Sequence, residues 1–302
     1  MQQTRRPIGR RGVLVRGAIA LALLAVLGGL FVAHETRPWF DRAYLIVLEN
    51  NGDAQIVGNT TDAPYLNHLI AGYGLATDWQ APGRPSYPNY LALVTGSTLG
   101  VTDDTPRDFG DPTLFDQLEA KGRTWHVYAQ GYPGDCFTGD QADGGEDLGP
   151  AGTYVRRHVP PLSFPAITRD ASRCANVTSL ASFDPAAADF EMIVPNNANN
   201  MHDGSIRAGD DWLATFVPRI LESPAFAHAA LFITFDEGAK DAPGAGGGLV
   251  PMIVVRPGIA PGFQSPALHT HRAFVRTIED AWGLGCLPAV CDSRPASEFF
   301  GG

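Results

Sequence analysis

Five short runs rich in apolar and β-branched residues constrain this chain most: residues 43–48, 125–129, 191–195, 230–235 and 251–256. Three are apolar almost without a break, the pattern of strands buried on both faces. Such strands need cover on both sides, and helical patterns lie between them. In 211–221, Trp212, Leu213, Phe216, Val217, Ile220 and Leu221 share one face, with Asp210 as the expected N-cap. In 271–282, Phe274, Val275, Ile278, Ala281 and Trp282 do the same; 64–71, 89–95 and 113–120 are further candidates. Strands alternating with helices predict an α/β domain with a mostly parallel central sheet flanked by helices. Residues 131–185 are rich in Gly, Pro and Asp with little periodicity, and read as a long loop excursion held by a disulfide.

With 302 residues, 44% of them hydrophobic, the chain has enough apolar material for a large core, and no internal repeat divides it. The expected organisation is an N-terminal segment, 1–35, followed by one catalytic domain, 36–302. The formal net charge of −10 excludes a general nucleic-acid binder, which needs a basic stripe to displace phosphate counterions. An acidic protein can still bind phosphate where a metal supplies local positive charge.

Arg5, Arg6, Arg10, Arg11 and Arg16 precede an uncharged stretch, 17–33, rich in Ala, Leu and Val. A basic flank followed by an apolar run is an export signal or a membrane anchor with its basic end inside. Phe31 stands where a cleavage site needs a small residue, which favours an uncleaved anchor. The expected location is therefore extracytoplasmic, with the membrane as a partner through this segment. Four cysteines in an exported chain suggest two disulfides, and of three connectivities Cys136–Cys174 with Cys286–Cys291 is the one expected.

The chemistry gathers at strand ends. The first apolar run stops at Glu49-Asn50 and the fourth at Asp236-Glu237. In open α/β sheets, ligands sit beyond the carboxyl ends of the strands. Three carboxylates and an amide meeting there would repel unless a cation sat among them, and their oxygens suit a hard divalent ion such as Mg, Ca, Mn or Zn. The segment Arg84-Pro85-Ser86-Tyr87-Pro88-Asn89-Tyr90 leads into a helical pattern. Ser86 there is either a nucleophile at an anion-favouring helix N-terminus or simply an N-cap. His202, in the polar tract after the third run, is a candidate proton donor. His158, beside Arg156 and Arg157, is a second candidate, as a donor or a phosphate contact. His269 and His271 read as surface or capping residues, with contact to the site as the lesser alternative, and Gly246-Gly247-Gly248 as a flexible turn without the lysine of a P-loop.

These segments, in this order, resemble the bacterial phosphoesterase family of acid phosphatases and phospholipases C. The likeness runs through Glu49-Asn50, Ala63-Pro64-Tyr65-Leu66-Asn67, Pro85-Ser86-Tyr87-Pro88-Asn89-Tyr90, Asn199 to Gly204, Gly209-Asp210, Asp236-Glu237-Gly238 and Arg276-Thr277-Ile278-Glu279-Asp280. The resemblance implies an alkaline-phosphatase-like fold and a metal on Glu49, Asn50, Asp236 and Glu237. It also implies a nucleophile at Ser86, a covalent phosphoserine intermediate and a phosphate contact at Asn89. The chain departs from the family in having Asn200-Met201-His202 where Asp-x-His is usual, and Leu249 where a histidine follows the glycine run. The expected activity is that of an exported, metal-dependent phosphomonoesterase acting on small phosphoesters. A phospholipase C-type enzyme acting on lipid head groups and a non-catalytic surface binding module are the alternatives.

Overall fold

The computed structural model describes residues 2, 38–143, 152–240, 244 and 246–301. The chain divides after Arg37, and the fold below is that of Pro38–Gly302. The export or anchor segment lies outside the described residues.

Thirteen strands are described: β1 (Arg42–Leu48), β2 (Gly74–Ala76), β3 (Trp79–Ala81), β4 (Trp125–Ala129), β5 (Gln141–Asp143), β6 (Thr153–Val155), β7 (Val177–Ser179), β8 (Phe190–Val194), β9 (Ala229–Phe235), β10 (Gly248–Leu249), β11 (Met252–Val255), β12 (Phe263–Ser265) and β13 (His269–Thr270). The longer helices are α1 (Pro64–Gly72), α2 (Ser86–Thr95), α3 (Leu114–Ala120), α4 (Ile206–Phe216) and α5 (His271–Trp282). Eight strands form the main sheet in the order β12-β2-β11-β9-β1-β8-β4-β7. The five apolar runs are β1, β4, β8, β9 and β11, within a residue of their expected limits. The sheet is mixed: β9, β1, β8, β4 and β7 run parallel, as do β12 and β2, while β11 is antiparallel to both its neighbours.

β1 and β9 lie at its centre, paired in register from Arg42↔Ala229 to Leu48↔Phe235. Every residue of β9 is buried, and so is all of β1 after Arg42. That double-sided burial explains why these strands lack the apolar–polar alternation of a half-wet sheet. The pairing also means that the residues following Leu48 and Phe235, Glu49 and Asp236, emerge side by side.

The helix meant to start near 211 begins five residues earlier, at Ile206. Ser205 is its N-cap, its hydroxyl accepting from the Ala208 N–H at 3.1 Å. The helix stops at Phe216, two residues before Pro218, whose ring removes a donor. Asp210 is therefore not a cap of its own helix. Its carboxylate accepts from the Tyr65 and Leu66 N–H groups at 2.8 and 2.9 Å, capping α1 from outside. Asn67 secures the preceding loop, accepting from the Gly58 N–H and donating to the carbonyls of Ile56, Asn59 and Ala63.

The excursion after β4 is more ordered than a loop. It holds the β5–β6 hairpin, short helical turns and edge strand β7. Its Gly, Pro and Asp content marked the turns but hid three-residue strands too short to show a period. Cys136 is bonded to Cys174 and Cys286 to Cys291, the expected pairing. α2 ends at Gly96 (φ 72°), where a Cβ would lie 2.0 Å from a Val290 methyl, so both backbone and space demand glycine.

Asp210→Ala should cost about 1–2 kcal/mol, the range for losing a helix N-cap. The urea midpoint should fall while the fold is kept; an unchanged midpoint would contradict the capping role.

Candidate active site

The site assembles where β1, β9 and the N-terminus of α2 meet. Glu49 and Asp236 are fully buried. Asn50 turns the chain sharply after β1 with φ 56°, a conformation asparagine tolerates better than most residues. That turn lets its backbone N–H donate to Asp236 Oδ1 at 3.0 Å and its Nδ2 donate to Glu49 Oε2 at 3.0 Å. The backbone on either side is fixed: the Glu49 N–H donates to the Asn200 carbonyl and the Asp236 N–H to the Leu48 carbonyl.

Ser86 is the first residue of α2, and its side chain does not cap that helix. Its hydroxyl instead donates to Glu49 Oε2 at 2.9 Å, in a buried environment. Of the two sequence readings for Ser86, the N-cap is the one the geometry does not bear out.

Glu237 stands apart from the other two acids. Its Oε2 accepts from Asn89 Nδ2 at 2.9 Å, and its Oε1 lies 3.6 Å from Arg84 Nη1. Arg84 is itself held by the carbonyls of Gly238 and Ala239. Asn89, the expected phosphate contact, is fully buried. It donates also to the Gly83 and Pro85 carbonyls and accepts from the Gly83 N–H, so it locks the approach to Ser86. Contact with a phosphate would require it to give up one of these bonds.

His158 is also buried. Its ring stacks on Tyr90 with centroids 4.8 Å apart, and its Nε2 is 3.1 Å from Glu49 Oε1. The two atoms lack the alignment of a hydrogen bond, and neither has another partner. Burial, with Arg157 and His202 nearby, holds His158 well below its ordinary pKa, so it is neutral. His202 is the more open imidazole, its ring 6.5 Å from that of His158. Its Nδ1 is 2.6 Å from Asp203 Oδ1, which orients it. The asparagine tract before it is scaffolding: Asn199 donates to Gln130, Asn200 to Asn197, and Asn200 Oδ1 accepts the His202 N–H.

His269 and His271 are buried, not surface residues. His271 opens α5 in phase with Phe274, Val275 and Ile278, all buried, so the period that placed those three inside also covered it. It reaches the site: its Nε2 is 2.7 Å from the Asp236 carbonyl. Burial holds His271 near pKa 4, hence neutral. The glycine run is not an open turn either. A Cβ on Gly247 would lie 2.3 Å from the Gly83 carbonyl, so the run packs directly against the approach to Ser86.

Burial raises all three acids. Glu49 goes well above its usual range, with Asp236 as the next cause; Asp236 rises to about 6; Glu237 rises to about 8, again with Asp236 second. Glu49 Oε1 and Asp236 Oδ2 are buried without hydrogen-bond partners. Among the described residues, no group of three or more His, Cys, Asp and Glu side chains forms a metal cage by itself. Amide or hydroxyl oxygens from Asn50 and Ser86 would have to complete one. Two unsatisfied carboxylate oxygens, with the Asn50 and Ser86 oxygens and the unpartnered His158 Nε2 close by, fit a divalent cation.

Residues 57–285 match the phosphoesterase family. The chain belongs to that family. This phosphoesterase is a hydrolase acting on phosphoric ester bonds. It is 29% identical to a phosphatidylinositol-3-phosphatase of Mycobacterium tuberculosis, across 100% of this chain and 98% of the relative. It is 27% identical to an acid phosphatase of Aspergillus fumigatus across 70% of this chain, which spans about half (49%) of that longer protein. Its fold is alkaline-phosphatase-like. A superfamily protein from Vibrio parahaemolyticus superposes with a TM-score of 0.56 at 13% identity, covering 84% of this chain and 69% of that one. A phosphonate monoester hydrolase from Silicibacter pomeroyi gives 0.58 at 11%, covering 86% and 76%.

The raised acids predict a pH dependence. A carboxylate whose folded pKa exceeds its unfolded value destabilises the fold once ionised, because the folded state then binds more protons than the unfolded one. His271 and His158, held below their ordinary 6.5, contribute stability that grows as pH rises to that value and offsets the Asp236 contribution, so in chelator the phosphoesterase should lose stability between about pH 6.5 and the Glu237 value of about 8. Urea midpoints in chelator test this. Relative to wild type, Asp236→Asn should gain stability as pH rises through about 6, and wild-type stability that is level or rising between pH 6.5 and 8 would contradict the assignment.

Proposed function

We propose that this protein is a metal-dependent phosphomonoesterase that works through a covalent phosphoserine at Ser86. The observation that carries the reading is the Ser86 hydroxyl. It lies at the start of a helix, is spared from capping, and is hydrogen-bonded to one of two buried carboxylates that retain unsatisfied oxygens.

Glu49, Asp236, Asn50 and, on leaving Arg84, Glu237 would hold the divalent ion. When bound, that ion would neutralise the acids, lower the pKa of the Ser86 hydroxyl and offset charge on the phosphoryl oxygens. Glu49 Oε2 accepts the Ser86 hydrogen bond and is the atom placed to take its proton. The serine oxygen bonds to phosphorus as the bond to the leaving alcohol breaks. His202, oriented by Asp203, would protonate that alcohol. Water then cleaves the phosphoserine to serine and phosphate. His158 lines the same space, and Asn89 keeps the serine segment rigid.

A phosphomonoester on an inositol ring is a substrate of the same chemical type, and the full-length likeness to the mycobacterial enzyme supports it as a substrate class. Two disulfides support an extracytoplasmic location. A phospholipase C activity would use the same residues on a diester. A binding module has no need of a buried serine against two acids.

Ser86→Ala should lower turnover of p-nitrophenyl phosphate by about a thousandfold or more while the fold is kept. Chelator should abolish wild-type turnover, and p-nitrophenyl phosphorylcholine should be the poorer substrate. Full activity in the alanine variant would remove Ser86 from the mechanism, and preference for the choline diester would move the protein to the phospholipases.

A further inference from the structure

Behind the buried acids runs a hydrogen-bonded chain that the mechanism above does not use. Trp79 Nε1 lies 3.0 Å from His271 Nδ1, and His271 Nε2 lies 2.7 Å from the Asp236 carbonyl oxygen. An indole N–H can only donate. His271 Nδ1 must therefore accept, and the imidazole proton sits on Nε2 and is donated to the carbonyl. Only this neutral tautomer satisfies both bonds. Trp79, His271 and Asp236 are all buried, so no water competes for these groups.

The carbonyl at the end of the chain belongs to the peptide that joins Asp236 to Glu237. Turning that peptide plane would swing both side chains, so one hydrogen bond orients two candidate metal ligands. The rest of Asp236 is already fixed: its N–H donates to Leu48 O and its Oδ1 accepts from Asn50 N, which leaves only Oδ2 without a partner. The chain also joins distant elements. Trp79 belongs to β3 of the small three-stranded sheet, Asp236 follows β9 of the main sheet, and His271 opens α5, which packs on the Ser86 helix.

We propose that His271, locked in its Nε2–H tautomer by Trp79, is a positioning residue that sets the Asp236–Glu237 peptide and with it the carboxylates that would hold the cation. The proposal rests on the metal-dependent reading above. Its test is Mn²⁺ affinity, measured by calorimetry on the full-length protein, alongside kcat and KM for p-nitrophenyl phosphate.

His271→Ala should weaken Mn²⁺ binding by about 10- to 100-fold, as loss of an outer-shell partner does. It should lower kcat at saturating Mn²⁺ while KM stays within about twofold. His271→Gln, whose amide can still donate to the carbonyl, should recover much of the loss. Trp79→Phe, which frees the tautomer, should fall between wild type and His271→Ala. Wild-type Mn²⁺ affinity in His271→Ala, or no recovery in His271→Gln, would overturn the proposal. Should His271→Ala not fold, wild-type affinity in Trp79→Phe would overturn it equally. If the wild-type protein binds no Mn²⁺, the metal reading fails and takes this proposal with it; if it does and the variants match it, only the positioning role fails.

Discussion

Two carboxylates buried side by side at the ends of β1 and β9 are the constraint to which the rest of the structure answers. Ionised acids in a low-dielectric interior repel each other and lose their water, a cost that a fold meets only with compensating groups. Here the compensation is visible residue by residue. Asn50 turns back to bond both acids, the Ser86 hydroxyl donates to Glu49, and His271 holds the Asp236 peptide. Even so, Glu49 Oε1 and Asp236 Oδ2 are left unsatisfied. That shortfall sets the junction apart from the rest of the core, and it is what the proposed cation and phosphoryl group would answer.

Much of this was legible from the residues because its signal is local. Double-sided burial writes itself as unbroken apolar runs, so the five long strands were readable, and Glu49 and Asp236 stand out as the acids that end two of them. What stayed hidden depends on partners far along the chain. Asp210 has the look of an N-cap, and it is one, but for a helix 145 residues away. Short strands such as β3 and β13 carry too few residues to show a period, so the small sheet and its Trp79 went unseen. The surface reading of His271 fails for a different reason: histidine is polar by type, although its place on the α5 face puts it inside.

The first departure from the family pattern becomes intelligible in the fold. Asn200 replaces the usual acid two residues before His202. It serves as scaffold, its carbonyl receiving the Glu49 N–H and its side chain the His202 N–H. The carboxylate beside the imidazole comes from Asp203 instead. The glycine run before Leu249 packs against Ala81, Pro82 and Gly83, where a Cβ on Gly246 or Gly247 would collide with backbone on the approach to Ser86; nothing in the fold explains Leu249 itself.

The claim that binds these observations is that the buried acids prepare Ser86 for covalent attack on phosphorus. Acid quenching during turnover of a phosphomonoester, followed by peptide mass spectrometry, tests it most directly. A phosphate adduct on Ser86 should build with substrate and disappear once substrate is spent. Sustained turnover with Ser86 unmodified, or an adduct on another residue, would contradict it.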